Sequence, residues 1–294
     1  MNELLERYKE LGHEIKKINL KIKDTIRINT IKTTENELIK RLEKKEIKLK
    51  KISYLKHGYE YKTKIPLVST NEYLQGLIYI QETASQIPPE ILDPKPNEII
   101  LDMAASPGSK TTQIAQLMNN KGTIIALDID GKRTQKLKNN LERLSITNTI
   151  IKTLDGRQIK KNKILFDKIL LDAPCSGNYC IEKEFFTKRK IKDFINRSWI
   201  QKELLDSAYK VLKKEGCLVY STCSLEPEEN EIVIDWFIKK YPDMKLQTIN
   251  KEIGEPGIIN PFGKSLSEEI KKTKRLWPEK TKTQGFFIAK LKKC

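Results

Sequence analysis

The chain has 294 residues, of which 38% are hydrophobic and 32% charged, and its formal net charge is +17 at pH 7. That is enough apolar material for one large domain or two smaller ones, and the lack of any 18-residue apolar run excludes a transmembrane helix. The positive excess favours a polyanionic partner, nucleic acid above all, because lysines that neutralise phosphates release counterions; a general Lys, Ile and Glu bias is the plain alternative.

The N-terminus, Met1-Asn2-Glu3-Leu4-Leu5-Glu6, lacks the basic-then-apolar plan of a signal peptide, so a cytoplasmic location is expected. Leu4, Leu5, Tyr8, Leu11 and Ile15 recur at roughly helical spacing and predict a helix over 2–18. Arg27-Ile28-Asn29-Thr30-Ile31 alternates like a strand. Thr34 and Glu37 form a capping-box pattern that opens a helix running to about residue 45. Short extended segments follow to about residue 69. Residues 1–76 therefore read as a small α/β module. Its Tyr54, Tyr59 and Tyr61 are either a stacking surface for bases or one face of a strand pair.

From residue 77 the rhythm changes. A helix over 81–87 is expected to stop at Pro88-Pro89. Alternating units follow: strand 98–103, helix 110–119, strand 123–128, helix 131–144, strand 147–153, strand 166–172, helix 196–213 and strand 216–222. A helix opens near Pro227, with Glu228, Glu229 and Glu231 in a first turn where the dipole favours acids. A strand over 284–291 ends the chain. The alternation predicts an α/β fold over 77–294, a doubly wound and mostly parallel sheet.

The strand ends carry the chemistry. Five consecutive predicted strands end at Asp102, Asp128, Asp155, Asp172 and Cys223, and ligands of such sheets bind outside the carboxyl ends of the strands. The first turn, Asp102 to Thr111, contains Ala104, Ala105, Ser106, Pro107, Gly108, Ser109 and Lys110, small residues that let the backbone approach a ligand at a helix N-terminus. Ala104 and Ser109 stand where a phosphate-binding P-loop needs glycine. Asp128, about 20 residues on, is placed to accept hydrogen bonds from ribose hydroxyls. These features describe a nucleoside-containing cofactor and leave a dinucleotide and S-adenosylmethionine both open, although the Gly-x-Gly-x-x-Gly fingerprint is absent.

Five cysteines, Cys175, Cys180, Cys217, Cys223 and Cys294, argue against a disulfide framework by their odd number. No C-x-x-C pair exists, and His13 and His57 lie far from the cysteines in sequence, so no metal is expected. Two thiols stand just past apolar strands, in Asp172-Ala-Pro-Cys175-Ser-Gly177 and Ser221-Thr-Cys223-Ser224, a placement that suggests thiol chemistry.

These two motifs, together with the run Ile99–Ala115, resemble the Sun-type (RsmB/NOP) RNA cytosine-5 methyltransferases, in particular archaeal-like tRNA enzymes. Gly76–Pro89, Arg27-Ile-Asn-Thr-Ile-Lys32 and Thr283–Lys290 are similar to further family segments, so the resemblance covers most of the chain. It implies a Rossmann-like methyltransferase domain using S-adenosylmethionine on RNA, with 1–76 as an RNA-docking module; the small N-terminal part favours tRNA over rRNA. It implies that Ala104 to Lys110 hold the methionine and ribose parts of the cofactor. Asp128 binds the ribose, Arg133 lies near the adenosine, Asp155 approaches the adenine, and Asp172 sits between cofactor and cytosine. Cys223 is the expected nucleophile, Cys175 the thiol that assists product release, and Lys110 an orienting group. DNA cytosine-5 methyltransferases, by contrast, use the cysteine of a Pro-Cys motif alone. Cys180, Cys217 and Cys294 lack motif context and read as incidental. Two departures, Asn178–Lys183 where an Arg is usual and Lys280–Thr283 where a His is usual, fall in the expected RNA groove. Other classes stay in view: a non-catalytic RNA-binding factor on this fold, and a nucleotide-dependent oxidoreductase using the thiols.

Overall fold

Two sheets organise the chain in the computed structural model, which describes residues 3–13, 15, 20, 22–182 and 184–294. The first has four antiparallel strands, β1 (Thr25–Ile28), β2 (Lys48–Lys51), β3 (Gly58–Lys62) and β4 (Ile78–Ile80), in the order β2-β3-β1-β4. Its fourth strand lies beyond residue 76. Helices α1 (Glu3–Glu10), α2 (Glu35–Glu43) and α3 (Asn71–Leu74) belong to the same stretch of chain. Ile26, Ile28, Leu38, Leu42, Ile47 and Ile78 close a small core between sheet and α2.

The second sheet has nine strands: β5 (Ile99–Asp102), β6 (Thr123–Asp128), β7 (Thr149–Thr153), β8 (Phe166–Asp172), β9 (Leu212–Thr222), β10 (Met244–Gln247), β11 (Glu255–Pro256), β12 (Lys274–Leu276) and β13 (Phe286–Lys293). Around them stand α4 (Thr83–Leu92), α5 (Ser109–Leu117), α6 (Gly131–Arg143), α7 (Phe185–Lys188), α8 (Ile191–Val211), α9 (Glu231–Lys240) and α10 (Pro278–Thr281). Five strands run parallel in the order β9-β8-β5-β6-β7, and the antiparallel β13, β12 and β11 extend the β9 edge. The period-2 alternation of a strand explains the layers. Leu101, Leu127, Ile169, Leu171 and Leu218 face α8 and α9, whereas Ile100, Ile124, Leu170 and Val219 face α4 and α5. Strand order reverses between β5 and β8, and the crevice of a doubly wound sheet forms at such a switch point.

Several expectations change. The first helix ends at Glu10 rather than 18: His13 N–H bonds Tyr8 C=O and Gly12 N–H bonds Lys9 C=O, with Gly12 at φ 78°, a left-handed stop. The remainder of that expected helix lies partly outside the described residues. Nor does α1 join the small core; Leu4 and Tyr8 pack with Tyr179, Phe185, Phe194, Leu225 and Trp277 of the larger domain. Helix α4 runs through Pro88 and Pro89 to Leu92. Pro89 has no N–H for Ser85 C=O, and the Gln81 side chain donates there instead at 3.1 Å, so burial of the whole helix outweighs its prolines. Helix α8 begins at Ile191 and passes straight into β9 at Leu212, both earlier than their apolar patterns indicated. Strands β10 to β12 are too short, at four, two and three residues, for a period-2 pattern to stand out in the sequence.

The two parts are joined by polar side chains. Arg27, fully buried, donates to Thr112 Oγ1 at 2.8 Å and to Ser109 C=O at 3.2 Å. Asn29 bridges Gly76 C=O and Leu144 C=O, and Gln116 returns a bond to Ile28 C=O at 2.9 Å. Hence Arg27–Lys32, a run with no chemistry of its own, holds the first sheet against the helix that follows the cofactor-type loop.

Candidate active site

The parallel strands deliver their terminal acids to the crevice as the sequence predicts. Asp102 and Asp172 end the neighbouring strands β5 and β8, and Asp128 ends β6. Burial pushes the Asp102 carboxyl up to about 6, although the Thr111 hydroxyl donates to it at 2.7 Å. Asp155 lies two residues past β7 and caps the 3₁₀ turn Gly156–Lys161. Its carboxylate is held by Arg157, at 2.6 Å for the closest pair, which keeps its pKa low. Gly156 abuts Met103 C=O, so a Cβ there would come within 3.2 Å, and Asp155 thus stands at the edge of the β5 turn.

The turn from Ala104 to Ser109 is held in place from three sides. Ala105 N–H bonds Leu127 C=O at 2.7 Å, and Ser106 N–H bonds Asp128 Oδ2 at 3.2 Å. Arg133, from the first turn of α6, reaches Ser106 C=O at 2.9 Å and Asp128 Oδ2 at 3.5 Å. Asn140 donates to Pro107 C=O at 2.9 Å. Gly108 caps α5 at φ 107°, a backbone geometry that favours glycine. Ser106 Oγ is buried without a protein partner, and a buried hydroxyl in that condition calls for a ligand or water. An N-terminal helix turn, an unpaired hydroxyl and a ribose-competent acid fit a nucleoside cofactor.

Lys110, almost fully buried in the first turn of α5, crosses the switch point to Asp172, with Nζ 2.6 Å from Oδ2. The other Asp172 oxygen accepts from Ser221 Oγ at 2.7 Å. Beyond this pair the two motif thiols meet, with Cys175 Sγ 3.0 Å from Cys223 Sγ. The hydrogen bond to Cys223 and burial together raise the Cys175 pKa well above the ordinary thiol range. The structure therefore brings Lys110, Asp172, Cys175 and Cys223 to one crevice and groups Asp128 and Arg133 with the loop. Cys180 joins the aromatic cluster under α1, Cys217 faces the α4 side, and Cys294 is exposed. Among the described residues no group of three His, Cys, Asp or Glu side chains is placed to hold a metal.

The helix expected near Pro227 opens there, and α9 keeps Glu231 in its first turn, but the acidic run before it takes another role. It is a 3₁₀ turn, Pro227–Glu229, and its carboxylates serve packing more than the dipole of α9. Glu228 pairs with Arg7 at 2.6 Å, and the fully buried Glu231 pairs with the equally buried Arg275. Glu229 ties the two cysteine loops together. It accepts from the Ser176 hydroxyl, from Ser176 N–H at 3.0 Å, from Ser224 Oγ at 3.0 Å and from Gln201 Nε2 at 2.9 Å. Asn178, which opens the first departing segment, is fully buried and bridges Cys223 C=O and Gly285 C=O, so it braces the site rather than lining a groove. Thr283, in the other departure, is buried as well. The available signal for this support was the density of Glu and Asn at 226–231, directly after a strand-end thiol.

Comparison with known proteins places this geometry. The family described as 16S rRNA methyltransferase RsmB/F matches residues 89–292, and the N-terminal domain of 16S rRNA methyltransferase RsmF matches 1–83. The chain is similar to the tRNA (cytosine(49)-C(5))-methyltransferase of Pyrococcus abyssi, with 42% identity over 92% of this chain and 88% of that one. It is also similar to the 25S rRNA (cytosine-C(5))-methyltransferase nop2 of Schizosaccharomyces pombe, with 39% identity over 92% of this chain and 46% of the yeast protein. A crystal structure of a methyltransferase homologue from Pyrococcus horikoshii superposes with a TM-score of 0.86 at 45% identity, covering 93% of this chain and 87% of that one.

Proposed function

The chain belongs to the 16S rRNA methyltransferase RsmB/F family, and from that footing we propose that it transfers a methyl group from S-adenosylmethionine to carbon 5 of a cytosine in RNA. The observation that carries the reading is the crevice in which the Lys110–Asp172 pair stands beside the Cys175–Cys223 contact. S-adenosylmethionine supplies an electrophilic methyl group on its sulfonium. Residues Ala104 to Lys110, Asp128 and Arg133 would hold it, with Asp155 serving the adenine and Asp172 the cytosine side.

Carbon 5 of cytosine is a poor nucleophile while the ring is aromatic. Cys223, as thiolate, adds to carbon 6 and makes carbon 5 enamine-like, so one difficult step becomes two easier ones. The charge that develops at ring nitrogen 3 meets the Lys110–Asp172 pair, a preorganised polar group in a water-poor crevice. After methyl transfer the carbon 5 proton leaves and the Cys223–carbon 6 bond breaks. Cys175, 3.0 Å from the departing sulfur, gives that sulfur its proton and, as thiolate, takes the carbon 5 proton in exchange. The target base enters unstacked from its neighbours.

The substrate we favour is tRNA over rRNA, because the match to the P. abyssi tRNA enzyme runs through most of both chains. The first sheet and α2, about residues 1–76, dock the RNA. No helix among the described residues is long and apolar enough to cross a membrane, and the enzyme works in the cytoplasm. The test uses labelled S-adenosylmethionine and total RNA, with 5-methylcytosine mapped by sequencing. Methyl transfer is expected in the wild type, and Cys175→Ala is expected to trap a denaturation-resistant protein–RNA adduct that Cys223→Ala never forms. An adduct with Cys223→Ala reverses the two roles, and cofactor binding without transfer to any RNA ends the enzyme reading.

A further inference from the structure

A groove of about 620 Å³ lies outside the crevice, over the 3₁₀ turn Gly156–Lys161 and the outward faces of α8 and α9. Trp199 stands on its wall 63% exposed, and Trp236 is half-buried nearby. The Lys202 ammonium lies between them, 5.2 Å from the Trp199 ring and 5.5 Å from the Trp236 ring. Trp199 presents its indole to solvent, and tryptophan is enriched on surfaces that recognise partners.

The charge of the groove is unbalanced. Its acids are already taken: Asp155 and Glu203 by Arg157, and Asp206 by Lys210, Lys240 and Tyr241. Lys160, Lys161 and Lys202 have no carboxylate within ion-pair distance among the described residues. Burial, and then repulsion from Lys264, lowers the Lys202 pKa. Lysines without a carboxylate partner beside an exposed indole match a nucleic acid strand, whose phosphates need the first and whose bases need the second. An acidic peptide answers only the cations.

Resting on the RNA methyltransferase reading, we propose that this groove is a second RNA contact, in which a base of an unpaired substrate segment stacks on Trp199 while Lys160, Lys161 and Lys202 hold the flanking phosphates. The groove begins at Asp155, the edge of the crevice, so one strand can serve both. Size permits this, since ~300–1,000 Å³ is the range of pockets that take nucleoside-sized groups.

The experiment measures binding apart from turnover, with two probes: unmodified tRNA transcripts and a 12-nucleotide single-stranded RNA of mixed sequence. Trp199→Ala is expected to raise the Kd for both about 5- to 100-fold, the range for losing one base–aromatic stack. Lys160→Ala with Lys161→Ala is expected to lower the slope of log K against log salt by about 1.4. Cofactor affinity and kcat at saturating RNA stay at wild-type values, so the loss appears in KM. Unchanged RNA Kd in both variants overturns the proposal. So does a loss of cofactor affinity with RNA affinity intact, which assigns the groove to the cofactor. A wild-type chain that binds RNA through Trp199 yet transfers no methyl group upholds the groove and brings down the enzyme reading instead.

Discussion

Glu229→Ala removes a buried carboxylate shared by both thiol loops. Four donors converge on it, from the Ser176 backbone, the Ser176 and Ser224 hydroxyls and the Gln201 amide. The hydroxyls can rotate to other acceptors; Ser224 Oγ already lies 3.3 Å from Ser176 Oγ. The Ser176 N–H and the Gln201 amide cannot, and each buried donor left unmade costs ~1–3 kcal/mol. With a small cavity added, the expected loss is about 3–5 kcal/mol. Glu229→Gln is the contrast. Its amide N–H₂ can face the two hydroxyls, which can turn to accept, while its Oε1 still accepts from the Ser176 N–H and the Gln201 amide. That variant should lose only about 1 kcal/mol, the usual net worth of a hydrogen bond. Urea unfolding gives the stabilities. Single-turnover methyl transfer gives the second readout: below its melting range the Ala variant should lose at least tenfold in rate with cofactor Kd unchanged, because the two sulfurs are no longer held 3.0 Å apart. An Ala variant with the wild-type urea midpoint and rate would refute the tethering role.

Three further outcomes are expected. Burial raises the Glu226 carboxyl to about 7 in the fold from 4.5, with the Tyr8 hydroxyl, Arg7, Glu228 and Glu229 around it. A carboxyl raised in the fold favours its neutral form there, so its contribution is full below about 4.5 and disappears as pH climbs to about 7. Glu226→Gln should flatten that part of the stability profile in urea midpoints taken from pH 4.5 to 8, and an unchanged wild-type slope in the variant counts against the assignment. Arg133→Ala frees one side of the cofactor loop at Ser106 and Asp128 and should weaken cofactor binding by about tenfold in calorimetry, the worth of one charge-assisted hydrogen bond, with little change in melting temperature. Arg275→Met leaves Glu231 buried without its cation and should cost ~3–5 kcal/mol in urea unfolding, whereas Arg275→Met with Glu231→Leu should recover much of it.

How far the chain was legible follows from where each signal is local. Strands 123–128 and 166–172 stand where their apolar runs put them, because a strand buried on both faces needs an unbroken apolar run and ends where polarity returns. The same property placed Asp102, Asp128 and Asp172 at one end of the sheet. Pro88 and Pro89 misled, because a side chain from outside the helix, Gln81, satisfied the carbonyl that Pro89 could not.

The sequence by itself determined the alternation of strands and helices, the glycine-bearing turn after β5 and the positions of both motif thiols, since each depends on near neighbours in the chain. Only the tertiary structure decided what holds those thiols together. Glu229 lies 53 residues from Ser176, Asn178 lies 107 residues from Gly285, and Tyr8 of α1 lies 218 residues from Glu226. Such bonds leave no periodicity to read. A carboxylate in an acidic run looks solvated until the fold surrounds it with donors, and the low-dielectric interior then makes every one of them count.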